Sequence, residues 1–405
     1  MRDGNESGKP LLEPVAGGPA IPMLDLSREY QLLKPELLSA TERVLNAQNF
    51  ILGHQVAEFE EAAAQFCQTG HAIGCSSGTD ALWLSLAAAA IGPDDAVVTT
   101  PFTFFATASS ILRTGARPLF ADIDPRSLNL DPACAERLLK QDAEGLEAVR
   151  GRIKAVMPVH LYGQVGEWDR FEALRDKFNV CLIEDAAQSF GAAWDGRPAG
   201  SLGDLAAFSF YPTKNLSACG DAGMVTTGDA RLAERLKMLR AHGMRRRYHH
   251  DEVGWNCRLD TLQAALLLVK IKYVADRNRR RQTLANRYDE LFKAEGLVES
   301  SPYPSHGLVL PWTHPRSSHV FHQYVIRVLR RNALLAYLEA RRIGSEVYYP
   351  LPLHLQESLL NLGYRRGDFP ESERAADEVL ALPVFPELRF EEQEVIVKAI
   401  AGFLS

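Results

Sequence analysis

The chain has 405 residues, 46% of them hydrophobic and 24% charged, which is enough for two domains around sizeable cores. A net charge of −6 argues against a general nucleic-acid binder. Six scattered cysteines without a CxxC pair argue against a zinc site or a disulfide framework and fit a reducing cytoplasm. No apolar run approaches the ~18 residues needed to span a bilayer.

Residues 1–20, rich in Gly, Pro and charge and lacking a signal-peptide core, read as a disordered tail. Helical periodicity begins near Pro35, a favourable first-turn residue, with Leu37, Leu38, Thr41, Val44 and Leu45 following. A second helix after Gly53 places Val56, Phe59, Ala63 and Phe66 on one face. Ala72 to Cys75 is a short strand, followed by Ser76-Ser77-Gly78-Thr79-Asp80 and an Ala/Leu helix. Such a small-residue turn leaves backbone N–H groups free for a phosphate, although Ser and Thr also serve as ordinary caps. Neither GxGxxG nor GxxxxGK[ST] occurs, so no dinucleotide fold or P-loop is indicated.

Strands and helices then alternate. Strands are expected at Ala96–Thr100, Pro118–Ile123, Ile153–His160, Val180–Ile183, Leu205–Phe210 and Met224–Thr227. Phe102 to Phe105 opens one helix, Asp131-Pro132 caps another, and Trp168, Phe171, Leu174 and Phe178 form the apolar stripe of a third. About seven strands with interleaved helices predict an α/β domain with a mainly parallel sheet. A long helix without Pro or Gly runs between Gly254 and Gly296. A smaller α+β domain follows, with strands at Tyr324–Val328 and Glu346–Tyr349, a helix at Asn332–Arg342, and two terminal helices. The expected division is a large domain over 21–280 and a small one over 281–405.

In a parallel sheet the active site lies beyond the carboxyl ends of the strands, and Thr79, Phe104, Asp185 and Lys214 all fall just after strands. Taken alone, Lys214 reads as a surface lysine in a turn and Asp185 as a cap. Taken together they meet the needs of a pyridoxal phosphate site. Lys214 is the amine, neutral if buried. Asp185 is the carboxylate for a ring nitrogen, Gly78, Thr79 and Ser209 hold the phosphate, and Phe104 stacks on the ring. His314, His319 and His322 lack a carboxylate cluster, so no metal is expected.

Five stretches carry a family resemblance: Phe50-Ile51-Leu52-Gly53, Ser77 to Leu82, Glu184-Asp185-Ala186-Ala187-Gln188-Ser189, Ser209 to Lys214, and Asn256-Cys257-Arg258-Leu259-Asp260. On these the chain, from Ile21 to about Phe403, resembles the DegT/StrS family of nucleotide-sugar aminotransferases. The resemblance implies the type I aminotransferase fold, pyridoxal 5′-phosphate as cofactor, and a homodimer with shared active sites. It further implies that Lys214 bonds to the cofactor and moves the proton, that Asp185 pairs with the ring nitrogen, and that Gln188 lies against the ring. Ser209 and the Gly78-Thr79 turn would bind phosphate, with Asn256 reaching in from the partner subunit. The expected substrates are L-glutamate and a nucleotide-linked keto sugar.

The stretch Arg245 to His250, leading into Gly254-Trp255-Asn256-Cys257-Arg258, looks like the loop of members that aminate 3-keto sugars, including UDP-linked glucuronates. There Arg258 would meet a sugar carboxylate, a pairing that suits a guanidinium. Tyr348 and Tyr349 stand where those members carry a His-Tyr pair, so Tyr349 matches and Tyr348 departs. A 3-keto hexose, acidic or 6-deoxy, is favoured over a 4-keto sugar. Two rivals are a pyridoxal-dependent dehydratase, which would carry histidine at position 214, and a catalytically silent regulatory protein.

Overall fold

The computed structural model describes residues 20–144 and 152–405, so the expected tail lies almost wholly outside the described residues. Helix α1 (Leu26–Ala47) starts at Asp25, whose Oδ1 accepts the Ser27 N–H at 3.0 Å. The expected start at Pro35 is therefore corrected, and the proline lies inside the helix. A charge on the inner face disguised the early turns: Glu29 is buried and receives the Lys270 ammonium at 2.8 Å. The buried stripe is Leu33, Leu37, Ala40 and Val44, while Leu38 and Leu45 point outward.

Helix α2 (His54–Phe66) leads into the central sheet. Its seven strands are β1 (His71–Cys75), β2 (Asp95–Thr99), β3 (Arg117–Phe120), β4 (Arg152–Val156), β5 (Cys181–Asp185), β8 (Leu205–Ser209) and β9 (Gly223–Thr227). Two short strands, β6 (Ala193–Trp194) and β7 (Arg197–Pro198), form a side sheet with β12 (Ser317–Ser318). The central order is β1-β9-β8-β5-β4-β2-β3. Only β9 is reversed, pairing antiparallel with β1 and β8, so the carboxyl ends of the other six share one edge.

Every residue of β2 and β9 is buried, as expected of strands covered by helices on both faces. The cover comes from α3 (Gly78–Ala88), α4 (Phe105–Arg113), α5 (Pro132–Ala143), α6 (Trp168–Phe178), α7 (Ala230–Leu239) and α8 (Thr261–Lys270). A hairpin of β10 (Met244–Arg246) and β11 (His249–His250) carries the arginine-rich stretch. Strands β3 and β4 stop short of the expected Ile123 and His160. Beyond β4 the chain leaves the ladder and touches β5 once more through the single Val159–Asp185 bridge.

The expected long helix after Gly254 is interrupted. Between α8 and α9 (Val274–Ala294) stands a 3₁₀ turn over Ile271–Tyr273. Val274 packs with the large-sheet core, whereas Leu284, Ala285, Tyr288 and Phe292 pack in a second core. That core also holds β13 (Tyr324–Arg327), α10 (Arg331–Glu339), β14 (Val379–Leu382) and α12 (Phe390–Leu404). The partner of β13 is β14, in a run not read as a strand, and α11 (Pro370–Glu378) precedes it. The strand expected at Glu346–Tyr349 is reduced to one bridge, Glu346 to Ala381.

Beneath the sheet edge, Glu184 is fully buried and well satisfied. Its carboxylate accepts the N–H groups of Gly200, Leu202 and Gly203 at 3.0, 2.9 and 2.8 Å and lies 3.0 Å from His160 Nε2. This fixes the end of β5 next to Asp185. Replacing Glu184 with Ala strands three N–H donors, and denaturant unfolding should register a loss of about 3–5 kcal/mol.

Candidate active site

One cavity of about 970 Å³ opens at the carboxyl edge of the sheet. Gly78, Thr79, Phe104, Asp185, Gln188, Ser209, Lys214, Tyr348 and Tyr349 all line it. Strand order brings together the set from Gly78 to Lys214, and the segment of Tyr348 and Tyr349, outside the sheet, closes the cavity from above.

Lys214 leaves β8 through a turn in which its N–H donates to the Tyr211 carbonyl at 2.8 Å. Burial pushes its ammonium down to about 8, against the opposing pull of Asp185. More of the free amine is therefore present near neutrality than an exposed lysine would have. Asp185 ends β5 at 4% exposure. Burial raises its carboxyl, while the Thr107 hydroxyl donating to Oδ2 at 2.7 Å and the Ala187 N–H donating to Oδ1 at 3.3 Å hold it down. Among the described residues no arginine or lysine forms an ion pair with it. A protonated ring nitrogen is the kind of group that would satisfy this carboxylate.

Ser77 caps α3, its hydroxyl accepting the Asp80 N–H at 3.0 Å. The Gly78 and Thr79 amides remain at the helix start with Ser209 beside them, a set of donors suited to a phosphate. Gly78 is required by space, because a Cβ there would stand 2.5 Å from the Ser209 Cβ. The donors, carboxylate and amine fit pyridoxal phosphate. Phe104 caps α4 at the rim, 59% exposed, with its ring 6.2 Å from Tyr349.

Gln188 is oriented by its partners. Its Oε1 accepts the Tyr162 N–H at 2.6 Å, and its Nε2 donates to the Tyr349 hydroxyl at 2.9 Å. Burial pushes the Tyr349 phenol up, so it stays a neutral hydroxyl. The Tyr162 hydroxyl donates to the Tyr348 carbonyl.

Asn256 and Arg258 do not line this cavity. Asn256 is exposed and bridges Ala241, and Arg258 pairs with Cys75 behind the α3 start. The three histidines considered as ligands diverge. His314 packs on Trp194, His319 stacks on Phe321, and only His322 reaches the cavity. The sequence reading missed Thr107, in the first turn of α4, whose hydroxyl also lies 3.0 Å from that of Thr103 just before the helix. It also missed Tyr162, which fixes Gln188, and the lining residues Arg281, Met23, Leu24 and Leu26, which come from segments with no local motif.

Removing the Thr107 hydroxyl tests the support of the carboxylate. Thr107→Val should weaken cofactor retention by about 10–100-fold, the loss of a charge-assisted hydrogen bond, as measured by cofactor titration of the apo-protein.

Residues 31–401 match the model of the DegT/DnrJ/EryC1/StrS aminotransferase family. A "pleiotropic regulatory protein" of Geobacillus stearothermophilus is 44% identical, over 95% of this chain and 98% of its own length. The UDP-N-acetyl-3-dehydro-alpha-D-glucosamine 3-aminotransferase of Acidithiobacillus ferrooxidans is 41% identical, over 92% and 95%. Among solved structures, DesV of S. venezuelae superposes with a TM-score of 0.89 at 37% identity, covering 96% of this chain and 99% of DesV. With this match in sequence and in fold, the chain belongs to the DegT/DnrJ/EryC1/StrS aminotransferase family and is an aminotransferase of the pyridoxal 5′-phosphate type.

Proposed function

We propose that this enzyme moves the amino group of L-glutamate to a nucleotide-linked 3-keto hexose, in the cytoplasm and as a homodimer, for amino-sugar synthesis. The observation that carries the reading is the convergence of Lys214, Asp185, Ser209 and the Gly78-Thr79 turn on one cavity. The 3-keto assignment draws on the A. ferrooxidans relative, whose name specifies a 3-dehydro sugar. All six cysteines are free, in keeping with a reducing compartment.

When bound, pyridoxal phosphate supplies an aldehyde and an electron-withdrawing ring. The protein's part is positional and acid–base. Asp185 would hold a proton at the ring nitrogen, and Thr107 and the Ala187 amide keep that carboxylate in place. Gly78, Thr79 and Ser209 would hold the phosphate, and Phe104, at the rim of the cavity, would lie against the ring. Lys214 would hold the cofactor through its amine, which burial makes easier to deprotonate, and would serve as the base that holds or passes on the substrate proton. Tyr348 and Tyr349 wall the sugar side.

Sharing of sites between subunits has two supports. Phe50, Ile51, Leu52, Phe104, Phe105 and Tyr211 leave an apolar surface exposed, in part beside the cavity mouth. Asn256 and Arg258, moreover, lie away from the cavity of their own chain. In this arrangement they serve the partner's phosphate and sugar. The regulatory name of the Geobacillus relative does not favour a silent role, because the complete residue set and an open cavity are present. Lysine rather than histidine at position 214 opposes the dehydratase reading.

Three measurements test this function. L-glutamate alone should convert the absorption of the lysine-bound cofactor to that of the amine form, and a 3-keto nucleotide sugar should restore it. If glutamate leaves the spectrum untouched, the donor assignment fails. With Lys214 near 8, cofactor capture by the apo-protein should rise about tenfold per pH unit below that value and level off above it, because only the deprotonated amine reacts. Finally, Lys214→Ala and Arg258→Ala should each be inactive or strongly impaired, by about 10²–10⁴-fold for the lysine. Co-expression should regain activity through mixed dimers that assemble one intact site.

A further inference from the structure

His322 lies on the cavity wall at 9% exposure, beside Lys214 in the charge field of the site, yet the chemistry above gives it no task. Its hydrogen-bonding character is fixed by a relay that ends in main-chain carbonyls. Asn278 Nδ2 donates to the Phe190 carbonyl at 3.0 Å, which leaves Asn278 Oδ1 as an acceptor. That oxygen takes Asn215 Nδ2 at 2.8 Å, and the same nitrogen donates to the Val320 carbonyl at 3.1 Å. Carbonyl oxygens cannot donate, so neither carboxamide can be turned around without facing like against like. Asn215 Oδ1 must therefore accept, and the atom opposite it, at 3.2 Å, is His322 Nδ1.

The proton of the imidazole consequently sits on Nδ1, and Nε2 presents a lone pair. Nε2 has no protein hydrogen-bond partner among the described residues and is open to the cavity that His322 lines. Burial, reinforced by Lys214 and Arg281, keeps the ring neutral. Proton transfer is thus a poor use for this side chain, and acceptance of a hydrogen bond is a good one.

We propose that His322 is a substrate-reading residue, whose Nε2 accepts a hydrogen bond from a sugar hydroxyl next to the keto carbon held beside Lys214. This rests on the nucleotide-sugar reading above. A site built to accept from a hydroxyl disfavours a substrate that lacks it, because a buried acceptor is then left without a partner. Asn215 and Asn278 are positioning residues that act through the imidazole.

Two experiments on the cofactor-loaded enzyme test the proposal. In ¹⁵N-histidine-labelled protein, with His322→Gln used to assign the signals, His322 should show a protonated Nδ1 and a bare Nε2. A proton on Nε2 overturns the proposal whether or not any substrate is known. In kinetics, wild-type enzyme should prefer the hydroxylated 3-keto sugar nucleotide over the analogue deoxygenated beside the keto carbon. That preference should shrink about tenfold in His322→Phe and survive largely in His322→Gln, which retains an acceptor. A variant that loses both sugars equally marks a merely structural histidine and overturns the proposal. If wild-type enzyme responds to L-glutamate yet takes no nucleotide sugar, the functional reading fails and the ligand assigned to Nε2 falls with it. If the sugar is aminated and the preference is unchanged in His322→Phe, only the role of His322 fails.

Discussion

A carboxylate buried without a cation is costly, and the site is arranged around one. Asp185 is 4% exposed, held by a threonine hydroxyl and one main-chain amide, with burial pushing its carboxyl up. That environment suits an oriented, protonated ring nitrogen better than it suits water. Lys214 is under the complementary strain, an ammonium pushed down by the same burial. Burial thus shifts both groups toward their neutral forms, an environment common where acid–base chemistry is done.

Holding two such groups in register needs a rigid frame, which the sheet edge provides. β5 and β8 run parallel with Asp185 opposite Ala207, so the segments that follow both strands emerge side by side. Glu184, buried just behind Asp185 and bonded to three amides of the 200–203 loop, stops this edge from fraying. On the other side, β1 delivers the α3 start within reach of Ser209, and glycine at 78 allows the approach. Above this frame stands a wall of side chains contributed by other segments.

That wall is polar in a directed way. Tyr162 fixes the Gln188 amide through its main-chain N–H, and Gln188 in turn donates to Tyr349. Across the cavity, Asn278 and Asn215 fix His322. In both relays the direction is set by a main-chain group that can act in only one sense. Arg281, its guanidinium bound to the carbonyls of Phe321, His322 and Val384, ties this wall to the second core.

Much of the frame could be read in the sequence. The strand–helix alternation, the Asp131-Pro132 cap, the Ser77 cap and the position of Lys214 after an apolar strand are local signals, and the structure bears them out. The start of α1 was hidden because its inner face carries Glu29, whose burial is intelligible only with Lys270, 241 positions away. Tyr348 and Tyr349 resembled a strand by residue type, but the ladder place beside β13 is taken by β14. Thr107, Tyr162 and His322 bear no motif, and their tasks arise from partners brought in by other segments. The sequence by itself determined the family and with it the type of chemistry, because the stretches around a lysine, an aspartate and a small-residue turn are marked by residue type and by neighbours along the chain. Only the tertiary structure decided which donors and acceptors face the cavity, because hydrogen-bond direction depends on partners far apart in the chain.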